Sequence, residues 1–130
     1  MAGETIIHVE DFTAAYDGKV ILSEINFDVY RGEVFVILGG SGCGKSTLLK
    51  HMIGLYKPAK GKVLIDGADI AAAERQVRLE ILRKFGVMYQ SGALFGSMTL
   101  LDNVRLPLEE FTDLPPEAIR LIALMKLKQV

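Results

Sequence analysis

The stretch Val34-Phe35-Val36-Ile37-Leu38-Gly39-Gly40-Ser41-Gly42-Cys43-Gly44-Lys45-Ser46-Thr47 decides the fold. Five apolar residues read as a buried strand, and they run directly into a segment that fills every fixed position of the phosphate-binding loop pattern G-x-x-x-x-G-K-[ST]. The residue types follow from the chemistry. Glycines let the backbone turn tightly enough for consecutive N–H groups to converge on phosphate oxygens, at the positive end of the following helix. Lys45 is placed to reach the β- and γ-phosphates, the Ser46 hydroxyl to ligate Mg²⁺, and Thr47 to lie near the α-phosphate. Behind the loop, Leu48, Leu49, Met52, Ile53 and Leu55 recur at helical spacing over Ser46–Leu55, and Gly54 and Pro58 end that helix. Strand, glycine-rich loop and helix in this order outweigh a reading in which the glycines merely make a turn. They predict an α/β fold with a P-loop NTPase core that binds a nucleotide.

Composition narrows the setting. The 130 residues, 50% of them apolar, suffice for one core and not for two. Fifteen basic against 16 acidic side chains, with no basic tract, give no nucleic-acid surface. No apolar run has the length of a membrane span, and Met1-Ala2-Gly3-Glu4 lacks the basic-then-apolar form of a secretion signal. A cytoplasmic location, or a peripheral one on the cytoplasmic face of a membrane, is expected. The single cysteine excludes an internal disulfide. Cys43 occupies a position that the loop pattern leaves free, and reads as a tolerated small residue rather than a catalytic thiol.

Upstream of the loop, Thr5 to Phe12 and Val20 to Tyr30 read as antiparallel strands around an Asp17-Gly18 turn, with a break expected at Ser23-Glu24-Ile25-Asn26. Downstream, Lys62 to Gly67 reads as a strand closing on a turn, Ala71 to Lys84 as a helix, and Phe85 to Tyr89 as a second buried strand ending at Gln90. Beyond Gln90 come a loop, a short helix over Leu101–Glu110 interrupted by Pro107, and a final helix from Pro116 to Lys128. That last helix is too apolar to stand alone and needs a partner surface. Asp66 and Asp69 read as turn formers, the charged face of the 71–84 helix as solvated, and His8 and His51 as ordinary structural or surface histidines.

This order of features resembles the ATP-binding subunits of ABC transporters over essentially the whole chain. Tyr16, before Asp17-Gly18, matches the aromatic residue that stacks on adenine in that family. Gly39, Gly40, Ser41, Gly42, Cys43, Gly44, Lys45, Ser46 and Thr47 match its phosphate loop. Pro58 to Gly67 is similar to the segment P-x-x-G-x-[IV]-x-[IVL]-[DN]-G. Gln90 matches the Q-loop glutamine, whose side-chain oxygen approaches Mg²⁺ and the attacking water. A narrower resemblance, carried by Gln90-Ser91-Gly92-Ala93-Leu94-Phe95 and Asp102-Asn103-Val104, is to the ATPases of bacterial MCE-type (Mla-like) lipid transporters.

The resemblance implies an antiparallel β subdomain and nucleotide-binding core over residues 1–90. Residues 91–130 would be the Q-loop exit and the start of an incomplete helical subdomain, truncated before the signature and Walker B motifs. It implies ATP and Mg²⁺ as cofactors, with Lys45 and Gln90 catalytic and Ser46 and Gln90 at the metal. The partners implied are a transmembrane permease, which Leu94, Phe95 and Met98 either touch or leave in favour of core packing, and a second ATP-binding subunit in a head-to-tail dimer. The Leu-Ser-Gly-Gly-Gln-like signature, the Walker B carboxylates and the switch histidine do not occur before Val130, so the chain is expected to bind ATP without hydrolysing it. The rival readings are a soluble, non-transport ABC protein of translation or DNA repair, and a module that uses ATP only as a clamp.

Overall fold

In the computed structural model, which describes residues 3–130, Met1 and Ala2 of the stretch read above for a secretion signal lie outside the described residues. The chain divides into two units, one up to Phe85 and one from Gly86 to Val130. In the first unit, β1 (Thr5–Tyr16), β2 (Lys19–Tyr30), β3 (Lys60–Ile65) and β4 (Ala68–Asp69) form an antiparallel sheet of order β2-β1-β3-β4. Helices α1 (Lys45–Met52) and α2 (Arg75–Leu82) cover it. Phe12 and Val9 of β1, Val63 of β3, Leu48 of α1, Ile70 just after β4 and Ile81 of α2 belong to one buried cluster.

Asp17 and Gly18, both at positive φ, make the tight turn that joins β1 to β2, and Asp66 and Gly67 repeat it after β3. The expected break in β2 is instead a pair of local distortions in a continuous strand. Asp11 and Glu24 take positive φ, the pairing register shifts between Val9 and Phe12, and the Asn26 side chain accepts the Asp11 N–H at 2.8 Å. An asparagine that satisfies a bulged amide lets the strand continue where composition suggested an interruption. On the solvent side, His8 hydrogen-bonds Asp28 across the β1–β2 pair, which raises the imidazole pKa above its usual value.

Helix α2 is shorter than the Ala71–Lys84 expected. Asp69 Oδ1 accepts the N–H groups of Ala71 and Ala72 at 2.9 and 3.2 Å, so those residues belong to a turn and the helix begins only at Arg75. Arg78 of α2 donates to the carbonyls of Ile70 and Gly54, which fastens the end of the α1 segment to the sheet layer.

The apolar runs Val34–Leu38 and Phe85–Tyr89 are not strands in this structure. Val34 and Leu38 are 90% and 87% exposed, and Met88 is 91% exposed. A strand exists by virtue of the strand beside it, and among the described residues none pairs with either run. What order the first run has comes from side chains: the Phe35 ring stacks on Phe27 of β2 with centroids 4.9 Å apart.

In the second unit, α3 (Leu100–Phe111) and α4 (Pro116–Lys128) pack on each other. Helix α3 opens with a capping box: Thr99 Oγ1 accepts the Asp102 N–H at 3.1 Å, and the Asp102 carboxylate accepts the Thr99 N–H. It then runs unbroken through Pro107. Proline removes one amide donor, but its fixed φ is helical, and packing against α4 carries the helix through. Helix α4 buries Ile119 and Ala123 and leaves Leu121, Leu124 and Met125 exposed.

Candidate functional site: a phosphate loop and its side cleft

The loop from Gly39 to Gly44 wraps the N-terminus of α1. Gly42 and Gly44 take φ of +78° and +101°, values that side-chain-bearing residues rarely adopt, and the Cys43 N–H donates to the Gly40 carbonyl at 3.3 Å. Gly44 is the N-cap and brings no side chain to cap the helix, and no acidic residue lies in the first turn. The first α1 bond of this turn runs from Leu48 N–H to the Gly44 carbonyl at 2.9 Å. The N–H groups of Lys45, Ser46 and Thr47 therefore have no helical acceptor, which leaves a set of donors at the positive helix end.

Lys45 supplies the charge. Its ammonium donates to the carbonyls of Gly39 and, at 2.9 Å, Gly40, so it spans the loop's mouth. Cys43 is exposed and lies 3.7 Å from the same ammonium. The Cys43 sulfur also sits where a side chain at position 39 would begin, so any larger residue there requires the Cys43 side chain to turn away. Gly44 is held to glycine twice over, by its φ and by Leu22 of β2, which a Cβ would meet at 2.9 Å. Gly40 has open space around it and no such constraint.

Beside the loop lies a cleft of about 390 Å³, bounded by Tyr16 and Ile21 at the β1–β2 turn and by Thr47 and Lys50 of α1. Tyr16, the last residue of β1, is 63% exposed and forms part of this wall. The structure thus gathers Tyr16, the loop glycines, Cys43, Lys45 and Thr47 in the first unit. Ser46 is exposed in the first turn of α1. Gln90 belongs to the second unit, where it occupies an exposed turn.

Of the cleft's lining, only Tyr16 and Thr47 were read as site residues in the sequence; Lys50, His51 and Tyr56 are among those that were not. His51 is indeed structural. It is 5% exposed, donates from Nδ1 to the Thr47 carbonyl at 2.7 Å, and stands edge-on to Phe12 at 5.1 Å. The available signal was helical spacing, since positions 47, 50 and 51 share one face of α1.

No group of three or more His, Cys, Asp or Glu side chains among the described residues could hold a metal. A hard cation bound mainly by water and phosphate oxygens needs no such cage, and one exposed hydroxyl such as that of Ser46 would serve as a protein ligand.

Residues 22–130 match the ABC transporter family. The chain belongs to that family. It is 44% identical over 124 residues to the probable ribonucleotide transport ATP-binding protein mkl of Mycobacterium leprae, covering 95% of this chain and 36% of that protein. It is 39% identical over 127 residues to the intermembrane phospholipid transport system ATP-binding protein MlaF of Haemophilus influenzae, covering 98% of this chain and 48% of MlaF. Among solved structures, the ABC transporter cassette MJ0796, described as dimeric, superposes with a TM-score of 0.85 at 33% identity, over 95% of this chain and 56% of that one. A second MJ0796 structure, bound to ADP and Pi, gives the same TM-score at 32% identity. This chain thus spans between about a third and a half of the length of these curated relatives. Among its described residues no helix is long and apolar enough to cross a membrane.

Proposed function

We propose that this chain is the nucleotide-holding part of an ATP-binding subunit that couples Mg-ATP binding and hydrolysis to transport across a membrane. One observation carries the reading: the Gly39–Thr47 loop presents unpaired amide donors and the Lys45 ammonium at one helix end. Such an end takes a polyphosphate by direct hydrogen bonding and charge neutralisation. In this reading the loop amides hold the phosphates, Lys45 neutralises the β- and γ-oxygens, Ser46 ligates Mg²⁺, and Tyr16 stacks on the base. When bound there, Mg²⁺ would supply further neutralisation of the phosphate charge. Gln90 orients the attacking water in the complete protein.

Transport of a phospholipid or another lipid is the substrate reading, supported by the Gln90–Phe95 stretch and by the name of the MlaF relative. The complete protein works as a head-to-tail dimer with a transmembrane permease, peripheral on the cytoplasmic face of the membrane. Closure of a second subunit over the nucleotide completes the site.

Calorimetric titration of Mg-ATP into the chain, with phosphate release assayed on the same sample, tests the proposal. Saturable binding without phosphate release is expected, because phosphoryl transfer needs, besides the phosphate cradle and Gln90, a carboxylate that polarises the water and a second subunit that closes over the nucleotide. Absence of binding, or turnover by the chain alone, contradicts it.

A further inference from the structure

We propose that Tyr56 forms a second aromatic wall of the nucleoside cleft, so that a base stacked on Tyr16 is bounded by two tyrosines; this rests on the nucleotide reading above. Tyr56 and Tyr16 line the same cleft of about 390 Å³, a size within the range of small-molecule sites. Thr47, a member of the phosphate loop, lines it too, so a group lodged there lies next to whatever the loop holds.

Tyr56 is 44% exposed, yet its body is anchored. The ring rests against His51 with centroids 5.7 Å apart, and His51 is itself fixed by its hydrogen bond to the Thr47 carbonyl and by the wholly buried Phe12. A chain of three rings therefore runs from the core to the cleft, and a wall held in this way loses little freedom when a ligand arrives. Lys50 adds charge to the same side, with its ammonium 6.0 Å from the Tyr56 ring centroid. An aromatic face next to a cation, beside a phosphate loop, matches a nucleoside polyphosphate: a flat base on the ring and anionic oxygens toward the ammonium groups.

The test separates base from phosphate. Mg-ATP and Mg-tripolyphosphate, which lacks a base, are titrated by calorimetry into the parent chain, Tyr56→Leu and Tyr56→Phe. Leucine keeps apolar contact with His51 but has no π-face, and phenylalanine restores it. Tyr56→Leu should weaken Mg-ATP by about fivefold or more while leaving tripolyphosphate unchanged, and Tyr56→Phe should keep the parent affinity for both. Unchanged Mg-ATP affinity in Tyr56→Leu, or equal weakening of both ligands, overturns the second wall and leaves the phosphate site standing. A parent chain that binds neither ligand overturns the nucleotide reading, and the inference with it.

Discussion

Lys45→Ala should weaken Mg-ATP binding by about thirtyfold or more, with little change in thermal stability. The affinity loss follows from charge: removing one partner of a close ionic contact costs about 2 to 5 kcal/mol, and each 1.4 kcal/mol is about tenfold. Stability should hold because Lys45 is the first residue of α1, its ammonium contacts only loop carbonyls and the Cys43 sulfur, and alanine is the best helix former. Calorimetry and a melting curve on the same preparations read the two effects separately. Undiminished affinity would mean that the nucleotide is held elsewhere. A large fall in melting temperature would mean that Lys45 braces the loop instead of serving the ligand.

The second large effect is on folding. Gly61→Ala should destabilise the chain by at least about 2 kcal/mol, more than the same change at Gly67. Both glycines have positive φ, +74° and +82°, so an alanine pays the left-handed penalty of about 1 to 2 kcal/mol at either site. The surroundings differ. A Cβ at Gly67 meets nothing within 4 Å, whereas one at Gly61 would overlap the carbonyl oxygens of Glu10 and Asp11 in β1. These are backbone atoms at the point where the β1–β3 register shifts between Glu10 and Thr13, so relief requires the two strands to part. Urea unfolding of the two variants side by side checks this. Equal destabilisation at both positions would show that β1 yields locally.

Gly61 also illustrates what was legible in the sequence. The segment Pro58 to Gly67 resembles a family pattern with glycine at this position, and the structure supplies the steric reason. The phosphate loop, the two Asp-Gly turns and the antiparallel unit before the loop were likewise readable, because each depends on local backbone chemistry. The strands expected at 34–38 and 85–89 were not, since burial of an apolar run depends on neighbours in space. Val34 and Leu38 carry the composition of a core strand and stand exposed. Continuity through Ser23–Asn26 was hidden because it rests on one hydrogen bond that the Asn26 side chain accepts from the distant Asp11 amide. The helix through Pro107 was hidden because packing against α4 outweighs local propensity. Tyr56 escaped notice for a related reason: its role comes from His51, a residue correctly read as structural whose consequence for the cleft lay in three dimensions.

Every function proposed for this chain depends on the Gly39–Thr47 loop receiving the phosphates of a nucleotide. Titration of Mg-ATP into isotopically labelled chain, followed by amide-resolved NMR, tests it most directly, because an N–H that gains a charge-assisted hydrogen bond to phosphate changes its resonance strongly. The largest shifts are expected at the amides from Gly42 to Thr47, with smaller ones around Tyr16 and Tyr56 at the cleft. Saturating Mg-ATP that leaves the Gly42–Thr47 amides unmoved, or that shifts residues elsewhere more strongly, would contradict the account.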